Sequence, residues 1–241
     1  MGLAAFAQVN GTQLVSSFTM HSNADRIASD LLANSEGLSE EDLGPGAKLL
    51  RRFAASEGTA ILSALREIET RAPFRHMVTP GGFRMSVAMT NCGPLGWVTD
   101  RKGYRYDALD PDSGSPWPAM PSILSALASK AASAAGFPKF EPDACLMNRY
   151  EPGAKMSLHQ DKDEPDFGQP IVSVSLGVPA VFLFGGLKRS DKAKRMQLFH
   201  GDVVVWGGPA RLRYHGVLAL KAAQHPLTGA HRINLTFRKA S

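Results

Sequence analysis

A chain of 241 residues can bury one good core with room for a small appendage, and is too short for two large domains. Its 44% hydrophobic and 20% charged residues are ordinary for a soluble globular chain, and its longest apolar runs are strand-sized, which leaves no candidate membrane helix. A net charge of +5 suits a polyanionic partner without requiring one, and two cysteines, Cys92 and Cys145, exclude a disulfide framework and read as reduced thiols.

Met1-Gly-Leu-Ala-Ala-Phe lacks the basic start of a secretory signal, and Phe6 stands where myristoylation needs Ser or Thr, so a cytoplasmic protein is expected. Residues 1–45 are rich in Ala, Ser, Asn, Glu and Gly and end at the breaker Gly44-Pro-Gly46. They read as a weakly structured extension, with a short helix over Asp25 to Ala33 that aligns Ile27, Leu31 and Leu32.

From Lys48 the pattern tightens. Ile61, Leu62, Leu65 and Ile68 predict an amphipathic helix over Thr59 to Arg71. Met77-Val-Thr-Pro-Gly-Gly82 is a turn leading into a strand-like stretch, Phe83 to Thr90. A second helix fits Ser122 to Ala135, with Pro121 before it and Gly136 past its end. Short β-branched and aromatic runs then recur: Ala144–Tyr150, Ile171–Leu176, Ala180–Phe184, Arg195–Phe199, Asp202–Trp206 and Arg232–Phe237. Their spacing predicts an antiparallel sandwich or barrel with helices packed against it, an α+β chain without internal repeats.

Three basic clusters stand out, at Lys48 to Arg52, Arg101 to Tyr106 and Lys188 to Arg195. The second interleaves aromatics with cations, which suits stacked bases and phosphates, and equally suits a solvated hairpin.

The chemistry centres on His159-Gln-Asp161, where a strand runs into the acidic loop Asp161-Lys-Asp163-Glu-Pro165. Two neutral imidazoles and one carboxylate can hold a divalent metal from one side and leave the other open, the usual arrangement for non-haem Fe(II). A solvated acidic turn is the bland alternative for His-x-Asp alone. His215, at the opening of a strand across the barrel, is the preferred second histidine, with His200, His225 and His231 as rivals. In the strand Arg232 to Arg238, Arg232, Asn234, Thr236 and Arg238 share one face. Guanidiniums in a buried sheet need an anionic partner such as a dicarboxylate; an edge strand facing water would need none.

With these residues, the chain resembles the AlkB family of Fe(II)- and 2-oxoglutarate-dependent nucleic-acid dealkylases from about Gly46 to Lys239. The matching stretches include Pro73-Phe-Arg-His-Met-Val-Thr-Pro-Gly-Gly-Phe, Met85-Ser-Val-Ala-Met-Thr-Asn-Cys-Gly, Pro142-Asp-Ala-Cys-Leu-Met-Asn-Arg-Tyr, Leu158-His-Gln-Asp-Lys-Asp-Glu-Pro and His200-Gly-Asp-Val-Val-Val-Trp-Gly-Gly. The resemblance implies a double-stranded β-helix, or jelly roll, in a domain of residues 46–241, with a nucleotide-recognition lid at about 73–106. It implies Fe(II) on His159, Asp161 and His215, and 2-oxoglutarate on Asn148, Tyr150, Arg232, Asn234 and Arg238, with dioxygen as the other co-substrate. Trp97 and His215 would sandwich a flipped base, Tyr104, Asp163 and Arg189 would contact the lesion nucleotide, and Met89 and Thr79 would lie in the lid. Without the resemblance, Trp97 reads as a core aromatic and Arg189 as a surface cation. The implied reaction removes an N-linked methyl from bases such as 1-methyladenine and 3-methylcytosine as formaldehyde. The implied partner is alkylated single- or double-stranded DNA, with RNA a further candidate, the protein being monomeric. A hydroxylase of a protein or small molecule, a zinc hydrolase and a non-catalytic binder of damaged DNA are the rival readings.

Overall fold

The structure, a computed structural model, describes residues 39–241, so the helix expected at Asp25 to Ala33 lies outside the described residues. Regular structure begins ahead of residue 46, because strand β1 (Glu40–Asp42) pairs antiparallel with β2 (Ala47–Leu50) across the Gly44-Pro45-Gly46 turn. Both strands are too short to show a period in sequence.

Helix α1 (Gly58–Arg71) buries Ile61, Leu62, Leu65 and Ile68, the stripe that predicts it. Helix α2 (Ser122–Ala134) follows Pro121 and buries Leu124, Leu127 and three small residues, Ala128, Ala131 and Ala132. The stretch expected as one strand over Phe83 to Thr90 is regular only at β3 (Ala88–Cys92). Ahead of it the chain is tied by single bridges, Val78 to Arg84 and Arg75 to Met89, around the Pro80-Gly-Gly82 turn. Next come the hairpin strands β4 (Gly96–Asp100) and β5 (Gly103–Asp107), which form a two-stranded sheet.

The remaining strands are β6 (Ala144–Tyr150), β7 (Met156–His159), β8 (Ile171–Gly177), β9 (Ala180–Phe184), β10 (Lys194–Leu198), β11 (Val203–Trp206), β12 (His215–Val217) and β13 (Arg232–Arg238). They complete a seven-stranded sheet in the order β1-β2-β11-β8-β13-β6-β3 and a four-stranded sheet in the order β10-β9-β12-β7. All their pairings are antiparallel, and the two sheets form the jelly roll. The chain crosses between the sheets after β8, where Gly177 has φ +85°; a Cβ there would collide with Thr228 and the His231 carbonyl.

Each central strand of the large sheet is buried on both faces, which is why these runs read as continuously apolar. Along β11, Val203 and Val205 face the helices, whereas Val204 and Trp206 face the smaller sheet. Leu235 and Phe237 of β13 join Ile61, Leu65, Leu124 and Leu127 in the helix-side core. The core between the sheets holds Phe182, Phe184, Trp206, Leu146 and Tyr150. The other face of β13 therefore points its polar residues between the two sheets, where a pocket opens. No helix among the described residues is long and apolar enough to cross a membrane.

Candidate active site

His159 ends β7 and His215 begins β12, and the two lie directly opposite each other in adjacent strands. The expectation of a histidine across the barrel is therefore corrected. The chain leaves β11 in the large sheet, turns through a 3-10 segment at Gly208–Ala210, and inserts β12 between β9 and β7. The β12–β7 register shifts between His215 and Val217, and a Cβ on Gly216 would stand 2.7 Å from the Met156 carbonyl, so glycine permits the close approach. The imidazole centroids are 4.4 Å apart.

Asp161 lies past the end of β7, beyond the reach of strand alternation, and is oriented by hydrogen bonds instead. Arg238 donates through Nε and Nη2 to Asp161 Oδ2 at 3.0 and 2.7 Å. The other oxygen, Oδ1, faces His159 Nε2 at 3.6 Å, and Oδ2 stands 3.8 Å from His215 Nε2. One donor atom from each of the three residues lies within 4.8 Å of the others. His159 Nδ1–H donates to the Ser157 carbonyl at 2.9 Å and His215 Nδ1–H to the Arg213 carbonyl at 3.1 Å. Both Nε2 atoms are thereby left as bases, the tautomer a metal ligand needs.

The electrostatics agree. Burial alone would raise the Asp161 carboxyl, but Arg238, His215 and His159 hold it well below the ordinary carboxylate range. Burial, reinforced by His159, pushes His215 down to about 3 against the pull of Asp161. At neutral pH the carboxylate is charged and His215 is neutral, which suits a divalent cation.

These groups line a cavity of about 630 Å³. Every site residue that the family resemblance implies borders it except Arg232. Arg232 lies 1% exposed beside the pocket-lining Tyr150, 4.9 Å from its ring, with Nη2 donating to Ser175 Oγ at 3.0 Å. Its Nε and Nη1 are buried without a partner, and burial lowers the pKa of the guanidinium. A desolvated cation with two open N–H groups is a fit for a carboxylate. Asn148 and Tyr150 stand nearby on β6, directly across from Asn234 and Arg232 of β13. The Asn234 amide is braced within the protein, donating to Ser173 Oγ and the Val174 carbonyl and accepting from Thr236.

The pocket mouth is aromatic. Trp97 of β4 stacks on the half-exposed Tyr104 of β5, centroids 5.7 Å apart and planes 20° off parallel. Trp97 Nε1–H donates to Asp163 Oδ2 at 2.9 Å, tying the hairpin to the loop that carries Asp161. Arg189 lies 6.0 Å from the Tyr214 ring, and Thr79 Oγ1 accepts from the Phe83 N–H at 3.2 Å in the turn. Met89 stands in β3, fully buried and paired with Asn148, so it belongs to the large sheet while still touching the cavity.

The rival histidines lie elsewhere. His200 Nδ1 accepts from the Gly177 N–H at 3.1 Å and its ring stacks on His225, while His231 borders a groove with Ile233. Three further site residues escape a reading of the sequence: Tyr106, Glu164 and Arg211. Glu164 is 3% and Arg211 2% exposed; Arg211 donates to Glu164 at 2.7 Å and to the Asp161 carbonyl at 2.6 Å, and the Tyr106 hydroxyl donates to Glu164. Their partners lie 47 and 58 residues apart, so no local pattern marks them.

Fold and donor set define the class, a jelly-roll oxygenase, and the family described as the 2OG-Fe(II) oxygenase superfamily matches residues 46–238. The chain is 60% identical over 211 residues to alpha-ketoglutarate-dependent dioxygenase AlkB of Escherichia coli (strain K12), covering 88% of this chain and 97% of that protein. It is 45% identical over 182 residues to the AlkB homolog of Caulobacter vibrioides (strain NA1000 / CB15N), covering 75% of this chain and 81% of that one. The solved structure of OsALKBH1 superposes with a TM-score of 0.74 at 32% identity, over 83% of this chain and all 100% of the other. The chain belongs to the AlkB family of Fe(II)- and 2-oxoglutarate-dependent dioxygenases. It is an enzyme that uses Fe(II), 2-oxoglutarate and dioxygen.

Proposed function

We propose that this dioxygenase removes N-linked alkyl groups from bases such as 1-methyladenine and 3-methylcytosine in DNA, and in RNA as a further substrate. One observation carries the reading: a single cavity joins metal-type donors at its base to a stacked Trp97–Tyr104 pair and Asp163 at its mouth. A relative at 60% identity is an AlkB dioxygenase, and a more distant one, in Mus musculus, is a nucleic acid dioxygenase.

In this reading His159, Asp161 and His215 hold Fe(II), and Arg232, Tyr150, Asn148, Asn234 and Arg238 hold 2-oxoglutarate. With Fe(II), 2-oxoglutarate and dioxygen bound, the site would supply oxidising chemistry at the methyl C–H, one oxygen atom going to the carbon and the other into the succinate that leaves with carbon dioxide. The hydroxymethyl product breaks its C–N bond to release formaldehyde, and a base that was cationic sheds a proton as it is restored. The protein's share is placement. A methyl on a base edge cannot reach the cavity floor from within a stack, so the nucleotide is single-stranded or flipped. Trp97 and His215 would flank the base, and Asp163, held by Trp97, would place a negative charge beside a cationic lesion. Cation–π attraction to Trp97 adds about 1–2 kcal/mol for a desolvated cation. Tyr104, Arg189, Thr79 and Met89 would shape the rest of the nucleotide site. Trp206, 4.8 Å from His215, and Phe182 wall the base of the pocket with apolar surface that limits water.

We assign catalysis to residues 46–241, with the lid at about 73–106, in a monomer acting in the cytoplasm. Succinate release driven by a single-stranded 1-methyladenine oligonucleotide, compared with a methylated peptide of equal charge, tests the substrate class. The oligonucleotide is expected to stimulate turnover and the peptide is not; the reverse result contradicts the assignment.

A further inference from the structure

Two carboxylates and two guanidiniums, all at least nine-tenths buried, form one cluster: Asp161 and Arg238 in the pocket lining, and Glu164 and Arg211 behind them. Arg211 uses all three of its nitrogens. Nε donates to the Gln169 carbonyl at 3.1 Å, Nη1 to the Asp161 carbonyl at 2.6 Å, and Nη2 to Glu164 Oε2 at 2.7 Å. Glu164 Oε1 accepts from the Tyr106 hydroxyl and lies 3.3 Å from Arg238 Nε. Arg238 is thus divided between Asp161 and Glu164. Burying four ionised groups is costly for stability alone, and an apolar cluster of the same volume would serve as well.

From this arrangement we infer that Glu164 is a positioning residue for the iron centre, resting on the reading that Asp161 is an iron ligand. Glu164 balances Arg238, so that the guanidinium engages one oxygen of Asp161, Oδ2, and leaves Oδ1 free of it and turned toward His159 Nε2. Through Arg211 it also fixes the Asp161 main chain to the segment that precedes His215. The quartet is neutral as it stands. Removing the Glu164 charge leaves two guanidiniums against one carboxylate, a net positive charge beside the place of a dication, and frees Arg238 to close on Asp161. Both changes weaken metal binding.

The test uses the full chain and Co(II), a spectroscopic probe that needs no turnover. Glu164→Gln keeps the shape and removes the charge; Co(II) affinity, read from the cobalt absorption bands, is expected to fall about 10- to 100-fold, the usual effect of altering a group behind a metal ligand. Tyr106→Phe removes one hydrogen bond to Glu164 without changing any charge, and a smaller loss of affinity is expected. Thermal midpoints of the metal-free proteins report folding separately. Co(II) affinity within twofold of the parent in Glu164→Gln overturns the inference; should that variant not fold, unchanged affinity in Tyr106→Phe overturns it. If Asp161→Ala binds Co(II) as the parent does, the reading of Asp161 as a ligand fails instead.

Discussion

Arg232 is a single side chain in which sequence pattern and burial energetics meet the proposed co-substrate contact. Alternation along β13 puts it on the polar face, and burial strips its guanidinium of water while leaving Nε and Nη1 without partners. A protein built only for stability would not keep such a group, since an unpaired buried cation is costly. Arg232→Met is therefore expected to leave the metal-free, co-substrate-free protein at least as stable as the parent. It is also expected to raise the KM for 2-oxoglutarate by about tenfold or more, each decade being 1.4 kcal/mol. Thermal melts with and without 2-oxoglutarate check both halves: the shift that co-substrate gives the parent should vanish in the variant. A variant that melts earlier yet keeps its KM would show Arg232 to be structural. At this scale the sequence was most informative where chemistry needs particular residue types. The His159 and Asp161 pair and Arg232 could be picked out, whereas Asn148 entered only through the family resemblance and Glu164 looked like one more acid in a solvated turn. Its burial depends on Tyr106 and Arg211, which meet it only once the chain is folded.

At the scale of elements, legibility followed periodicity. The stripe Ile61, Leu62, Leu65 and Ile68 marked α1, and Pro121 with Gly136 bracketed α2. The strands β6, β8, β9 and β13 were plain as short runs of aliphatic, β-branched and aromatic residues bounded by turns. Where short ladders and turns govern, reading failed. β1 and β2 offer only three and four residues, and the stretch before β3 is broken by a glycine turn held through isolated bridges. The placement of His215 also depended on topology, because only the order β9-β12-β7 makes it the neighbour of His159. The strand that carries the site is locked by its opposite face, where Phe237 is fully buried against the helices. Phe237→Ala is expected to cost about 3–5 kcal/mol, the loss typical of emptying a core aromatic site. Urea unfolding followed by fluorescence measures it. A loss below 1 kcal/mol would mean that this side of β13 contributes little to holding Arg238 and Asn234 in place.

For the molecule as a whole, the jelly roll separates stability from chemistry by layer. Helices cover one face of the large sheet and build a continuous apolar core there, while the face toward the small sheet carries both an aromatic core and the polar pocket. The β4–β5 hairpin and the turn near Thr79 reach over the mouth, and Trp97 links the hairpin to the loop of Asp161 through Asp163. Recognition and oxidation chemistry are therefore contiguous: the surface that would select a base lies directly above the donors that would hold iron. The proposed chemistry depends on those three donors acting on one ferrous ion. Formaldehyde released from a single-stranded 1-methyladenine oligonucleotide, with Fe(II) and 2-oxoglutarate supplied, measures that most directly in the parent and in Asp161→Ala. The parent is expected to release formaldehyde matched by succinate, and the variant to fall to background; a variant as active as the parent would contradict the account.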